Sequence, residues 1–196
     1  MTAASMESAD RRRDIVFTTE LRKGGGWRIT ANELAPPNGP VKTAARTVHT
    51  TKERVNMLKT ANDGAIIVAV SGSKVLIGTL LDPEFNTVDK IKYQWRIFES
   101  SEYISSFDVQ VLERTEFKDI RKSMRKVPVV NIVVGDVKGS IFVHTDLLAK
   151  LMLSQDGALP QGWSLIPKKM HWHRQDVLAV KWSRDGMWFP ILFTVS

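Results

Sequence analysis

Cysteine is absent from the 196 residues, and that one absence removes disulfides, thiolate zinc sites, iron–sulfur clusters and cysteine nucleophiles together. A chain of this kind fits a reducing compartment, cytosol or nucleus. Long apolar runs are missing too, and no stretch approaches the roughly 20 residues that a membrane-spanning helix needs. The opening residues MTAASMESADRRRD carry Glu7 and Asp10 and have no apolar centre. They match neither a secretory signal nor the acid-poor pattern of a transit peptide, and residues 1–13 read as a disordered basic tail. With 43% hydrophobic and 25% charged residues, the remainder lacks the bias of a disordered or fibrous chain and is expected to be globular.

What is present begins with a surplus of base. Lys and Arg number 28 against 21 Asp and Glu, a formal charge of +7, which favours an acidic partner such as RNA or an acidic protein surface. Apolar residues alternate in short β-branched runs, as in Ile66-Ile67-Val68-Ala69-Val70, Val75-Leu76-Ile77 and residues 129–134. Their period and composition predict strands. Between them stand Asp63-Gly64, Ser71-Gly72, Gly135-Asp136 and Asp185-Gly186, which supply the positive φ angles of tight hairpins. Few segments carry a helical period, and the best, residues 146–153, runs for two turns from Asp146 as its candidate cap. That piece reads as a connection between strands.

The chain also repeats itself. Val55, Leu58, Asp63 and Gly64 share their spacing with Val177, Val180, Asp185 and Gly186, and a third copy shows at Ile104 and Phe107, where a longer insertion replaces the Asp-Gly turn. After that insertion, residues 129–134 and 139–143 mirror residues 66–70 and 74–77. Each unit predicts an inner strand, two further strands and a more polar outer strand, with residues 93–98 and 164–170 as the outer candidates.

The last copy, His173 followed by Val177, Val180, Trp182, Ser183, Asp185 and Gly186, resembles the opening of a WD repeat, a four-stranded propeller blade. The resemblance implies an all-β WD-repeat β-propeller in which Val177 and Val180 feed the core between blades, Asp185-Gly186 turns the chain, and the loop histidine braces that turn. Longer stretches, residues 23–35 (KGGGWRITANELA), 95–101 (WRIFESS), 133–141 (VVGDVKGSI) and 166–173 (IPKKMHWH), are similar to the N-terminal propeller of a fungal WD-repeat subunit of the UTP-A (t-UTP) subcomplex of the small-subunit processome. That likeness runs over residues 14–188. It implies a nucleolar scaffold that joins other WD-repeat and helical subunits on pre-rRNA, supporting small-subunit rRNA processing and linked transcription by RNA polymerase I.

Blade-like units are expected at residues 55–98, 103–170 and 177–196 within a partial propeller over 14–196. A closed propeller takes at least about four blades, so two to three imply an incomplete fragment. Residues 187–196 (MWFPILFTVS) replace the expected Leu-Ser-Gly-Gly strand, and Pro190 brings no amide to a central ladder. Unpaired edges left there would invite aggregation or capture by another protein.

The candidate sites divide into chemistry that finds no support and charge that has two readings. His171-Trp172-His173 offers half a zinc site with no third ligand beside it. Gly24-Gly25-Gly26 lacks the Lys-Ser or Lys-Thr and the helix of a phosphate cradle, and reads as a hairpin turn. Ser71-Gly72-Ser73 lacks the context of a nucleophilic serine. Acids are scattered singly, with no acid–base pair, so neither an enzyme nor a cofactor or small-molecule substrate is expected. The six tryptophans sit in or beside strand patterns and read as packing rather than base-stacking platforms. The insertion at residues 113–127 carries Arg114, Lys118, Arg121, Lys122, Arg125 and Lys126, which suits either the RNA backbone or a solvated loop between blade strands. Arg11-Arg12-Arg13 has the same two readings and that of a nuclear-import signal. The leading function is a nonenzymatic scaffold in the nucleolus. A generic WD-repeat interaction module or a basic RNA-binding module outside the processome is the alternative.

Overall fold

A computed structural model describes residues 3–7, 14–34, 44–82, 87–118, 123–147, 149–150, 166–171, 174–185 and 189–193. These residues form an all-β chain of antiparallel sheets, each built from strands consecutive in sequence. The first sheet holds β1 (Ala3–Glu7), β2 (Asp14–Leu21), β3 (Trp27–Glu33) and β4 (Ala45–Thr51). The second holds β5 (Val55–Ala61), β6 (Ile66–Ser71), β7 (Lys74–Leu80) and β8 (Tyr93–Glu99). The third holds β9 (Ile104–Lys118), β10 (Ser123–Asp136), β11 (Ser140–His144) and β12 (Lys168–His171), and a two-stranded fourth pairs β13 (Val177–Val180) with β14 (Ile191–Phe193). The chain divides into two compact units, Met1–Ser101 and Glu102–Ser196.

Two expectations change. Within the tail assigned to residues 1–13, Ala3–Glu7 pairs residue for residue with β2, from Ala3 opposite Thr18 to Glu7 opposite Asp14. A neighbouring strand offering an open ladder edge outweighs weak strand propensity in that segment. Likewise, the 113–127 insertion is not a loop where it is described. β9 and β10 run on in register, Arg114 opposite Val127, Glu116 opposite Arg125 and Lys118 opposite Ser123. Because β11 pairs only with Ile132 to Gly135 of β10, the outer part of this hairpin projects past the sheet as a two-stranded arm. The helical turn foreseen over residues 146–153 begins with the Lys150 amide donating to the Asp146 carbonyl at 3.2 Å. Residues 148 and 151–153 lie outside the described residues.

The three-residue step between paired apolar positions has a physical cause. On a regular strand, residues three apart face opposite sides. Here the register slips between Val55 and Met57 on β5, between Gly135 and Asp136 opposite Ile104 and Ser106 on β9, and between Val177 and Ala179 on β13. Each slip inserts one extra residue, a β-bulge at Asn56, Ser105 or Leu178, which resets the alternation. Both members of each pair then turn inward, and Val55, Leu58, Ile104, Phe107, Val177 and Val180 are all buried.

Turn chemistry is as foreseen at Asp63-Gly64 and at Ser71-Gly72, where Gly72 takes a φ of 63°. Asp63 and Gly64 take φ of 49° and 79°, and the Ala65 amide donates to the Asn62 carbonyl at 2.9 Å, a type I′ hairpin turn. Gly135-Asp136 differs: Gly135 lies within β10, and the positive φ of 81° falls on Gly139. Gly135 is needed for space instead, since a Cβ there would sit 2.4 Å from Val177 Cγ1.

In the first unit, Ile15, Phe17, Ile29 and Ala31 of the first sheet pack with Leu58, Ile67, Ala69, Leu76 and Tyr93 of the second. Phe17 meets Tyr93 edge-on at 6.0 Å between centroids, and the Tyr93 hydroxyl donates to the Gly64 carbonyl at 2.6 Å. Burial pushes the Tyr93 phenol well above its ordinary pKa. Trp95 lies across Gly78, where a Cβ would stand 3.0 Å from its ring, and its indole donates to Val48 at 3.0 Å. Each fully buried large side chain here contributes about 1.5–3 kcal/mol.

Candidate functional site

In the second unit the positions of the WD-like pattern meet one face of β9. Val177 and Val180 pack with Val133, Ile141 and Val143. Around this apolar patch, side chains of β9 hold successive backbone groups of the segment that starts at β13. Ser105 Oγ donates to the Val177 carbonyl at 2.5 Å. The Trp182 amide donates to Asp108 Oδ2 at 2.8 Å. Gln110 Nε2 donates to the Ser183 carbonyl at 2.6 Å. Ser106, Asp108 and Gln110 alternate along β9 and so share a face, and all three are buried. Buried polar side chains survive when they are hydrogen-bonded, and here Asp108 and Gln110 satisfy backbone groups of Trp182 and Ser183, which lie past the β13–β14 pairing.

The chain of bonds continues across the sheet. Asn131 Nδ2 donates to Gln110 Oε1 at 3.4 Å, and Asn131 Oδ1 accepts from the Asp146 amide at 3.0 Å. Asp146, at a positive φ of 51°, binds Arg114 Nη1 through Oδ2 at 2.6 Å. One polar network thus joins the base of the arm, the turn after β11 and the pattern residue Ser183. Ser183 Oγ also donates to Asp185 Oδ1 at 2.6 Å, while Trp182 rests edge-on against Phe189 at 5.2 Å. Pro190 precedes β14, and its carbonyl accepts from the Lys181 amide at 3.3 Å.

His173 and Gly186 lie outside the described residues, so the brace between loop histidine and turn is not described. Arg121 and Lys122 lie outside them as well. Lys118, Arg125 and Lys126 are strand positions whose side chains fall outside the description. Of the six cations named for RNA contact, Arg114 is drawn into the Asp146 ion pair. His171 Nδ1 sits 3.2 Å from Ser140 Oγ, Ser71 Oγ donates to the Glu53 carbonyl at 3.0 Å, and Gly25 and Gly26 turn the β2–β3 hairpin.

No protein-family profile matches the chain, and no curated protein matches it significantly.

Sequence reasoning missed Ser105, Asp108, Gln110, Asn131 and His144. A signal was there in Ser106-x-Asp108-x-Gln110, a polar alternation on a strand whose opposite side carries Phe107 and Val109. His144 closes β11 in a buried position. Desolvation, with a smaller push from Lys150, lowers its pKa to about 4. Among the described residues, no helix is long and apolar enough to cross a membrane.

Proposed function

We propose that this chain is part of a WD-repeat β-propeller acting as a nonenzymatic scaffold in ribosome biogenesis, of the kind seen in WD-repeat subunit seventeen of the UTP series. In this reading it works in the nucleolus, within the UTP-A subcomplex of the small-subunit processome. It binds other WD-repeat and helical subunits there, contacts pre-rRNA, and supports rRNA processing and linked RNA polymerase I transcription. The observation that carries the reading is the recurrence of one unit: a meander of consecutive strands, opened by a strand with a bulge between two buried apolar residues three apart. Supporting it, first strands of successive sheets lie together, β1 against β5 in the first unit and β13 against β9 in the second, as blades set around an axis require. The likeness of residues 23–35, 95–101, 133–141 and 166–173 to the processome subunit supplies the biological setting.

The test is affinity purification of the endogenous protein at low and high salt, with mass spectrometry of the partners and sequencing of bound RNA. Processome subunits recovered with pre-rRNA support the reading, and partners that persist at high salt mark protein contacts as primary. Absence of both overturns it and leaves a generic WD-repeat interaction module.

A further inference from the structure

The first unit carries a concentration of positive charge on two touching loops. The β2–β3 turn brings Arg22 and Lys23, and the β4–β5 connection brings Lys52 and Arg54, all four exposed. The loops are adjacent because Trp27 pairs with Thr51, and a Cβ on Gly26 would stand 2.9 Å from the Thr51 carbonyl oxygen and 3.8 Å from Lys52 Cα. Two nearby acids are engaged elsewhere. Glu53 faces Lys74 at 3.6 Å, and Glu20 takes Arg28 Nε and Nη2 at 3.1 and 2.7 Å. Among the described residues, none of the four cations forms an ion pair. Arg54 lies over the half-buried Trp27 ring at 5.6 Å from its centroid. Between the cations, Gly24 and Gly25 have open space where side chains would be.

From this arrangement we infer that the two loops form a binding site for single-stranded RNA. Four exposed cations along open backbone neutralise successive phosphates, the sequence-independent part of nucleic-acid affinity. A guanidinium held over an indole is the planar, cationic surface on which an unstacked base layers. An acidic peptide matches the charge but makes no use of that planar pair. The projecting arm is the weaker candidate, since Arg114 is bound to Asp146. The inference deepens the RNA contact of the proposed function but stands or falls separately, because it concerns purified protein and RNA alone.

The experiment is fluorescence anisotropy of the full chain with a labelled mixed-sequence 12-nucleotide RNA, titrated across salt, beside a labelled polyglutamate peptide and a duplex RNA. Four phosphate contacts give a slope of log affinity on log salt of about −2.8. Reversing Arg22, Lys23, Lys52 and Arg54 to Glu is expected to lower affinity at least about 100-fold at moderate salt and flatten that slope. Arg54→Lys, which keeps the charge and loses the plane, should cost roughly fivefold for RNA and leave the peptide unchanged. Arg121→Glu with Lys122→Glu, in the sequence between β9 and β10, should have the smaller effect. If the quadruple variant loses its melting transition, Lys23→Gln with Lys52→Gln carries the test, with an expected loss of about tenfold. Unchanged RNA affinity in the loop variants, or equal binding of polyglutamate and RNA, overturns the assignment. Loss of processome partners in cells with RNA affinity intact would overturn the proposed function and leave this site standing.

Discussion

The two units join their sheets by different physics. In the first, Phe17, Ile29, Leu76 and Tyr93 bring two apolar faces together, an attraction large in magnitude and indifferent to direction. In the second, a smaller apolar cluster around Val177 is framed by Ser105, Asp108 and Gln110, which grip named backbone atoms of the next segment. Hydrogen bonds weaken steeply when misaligned, so the second arrangement fixes one position of β13 where apolar packing alone tolerates several. Area supplies the stability of the first junction, and geometry supplies the specificity of the second.

That contrast can be broken at its strongest point first. Phe17→Ala should destabilise the first unit by about 3–5 kcal/mol, read as a lower urea midpoint and faster amide exchange in β2, β3, β6 and β7. An exchange pattern disturbed only in the second unit would sink the contrast. Next, Asp108→Ala leaves the part-buried Trp182 amide without this acceptor, at a cost of about 1–3 kcal/mol. Asp108→Asn, which keeps a carbonyl oxygen, should cost clearly less. Equal losses in the two variants would mean that Asp108 contributes through packing.

Acid gives a third, comparable effect. Burial holds the folded His144 pKa at about 4, below the 6.5 of an unfolded histidine. Its neutral form is therefore favoured in the fold, and the contribution is fully present above pH 6.5. It is lost as pH falls below that value and is gone below about 4. Between pH 7 and pH 5 the loss amounts to about 2 kcal/mol, and His144→Gln should remove that part of the slope in a series of denaturant melts. His49, whose pKa burial also lowers, lies against Trp95 at 4.4 Å between ring centroids in the first unit and adds to the slope in the same direction. The smallest effect belongs to Arg114→Gln, because a half-exposed ion pair is worth under about 1 kcal/mol. A larger drop in the urea midpoint would show that the arm depends on the Asp146 contact.

Strands were readable where the residues are β-branched and the turns are glycine-rich. Residues 66–70 and 74–77 fall within β6 and β7, and residues 93–98 within β8. The three-residue step was readable as a repeat, yet its meaning was not, because a bulge exists only in relation to the partner strand. The first sheet escaped notice for a similar reason. β4 is Ala-Arg-Thr-Val-His-Thr-Thr, a polar strand whose place comes from its neighbour. In the arm, charged residues of both signs at most positions concealed an alternation that pairing imposes. At the junction, Asp108 and Gln110 looked like isolated polar residues, since their targets are backbone atoms more than seventy positions away.

Those separations also set a folding order. The arm closes locally, with Lys118 opposite Ser123, and a hairpin zips up in about 1–10 μs. The bonds from Ser105, Gln110 and Asp108 to the β13 segment span 72, 73 and 74 residues, and the entropy of closing so long a loop must be met before any of them forms. The arm and its continuation through β9 and β10 are thus a template present early, onto which β13 is recruited last. A ribosome-bound chain can complete the arm long before the residues that will lean on it have been synthesised.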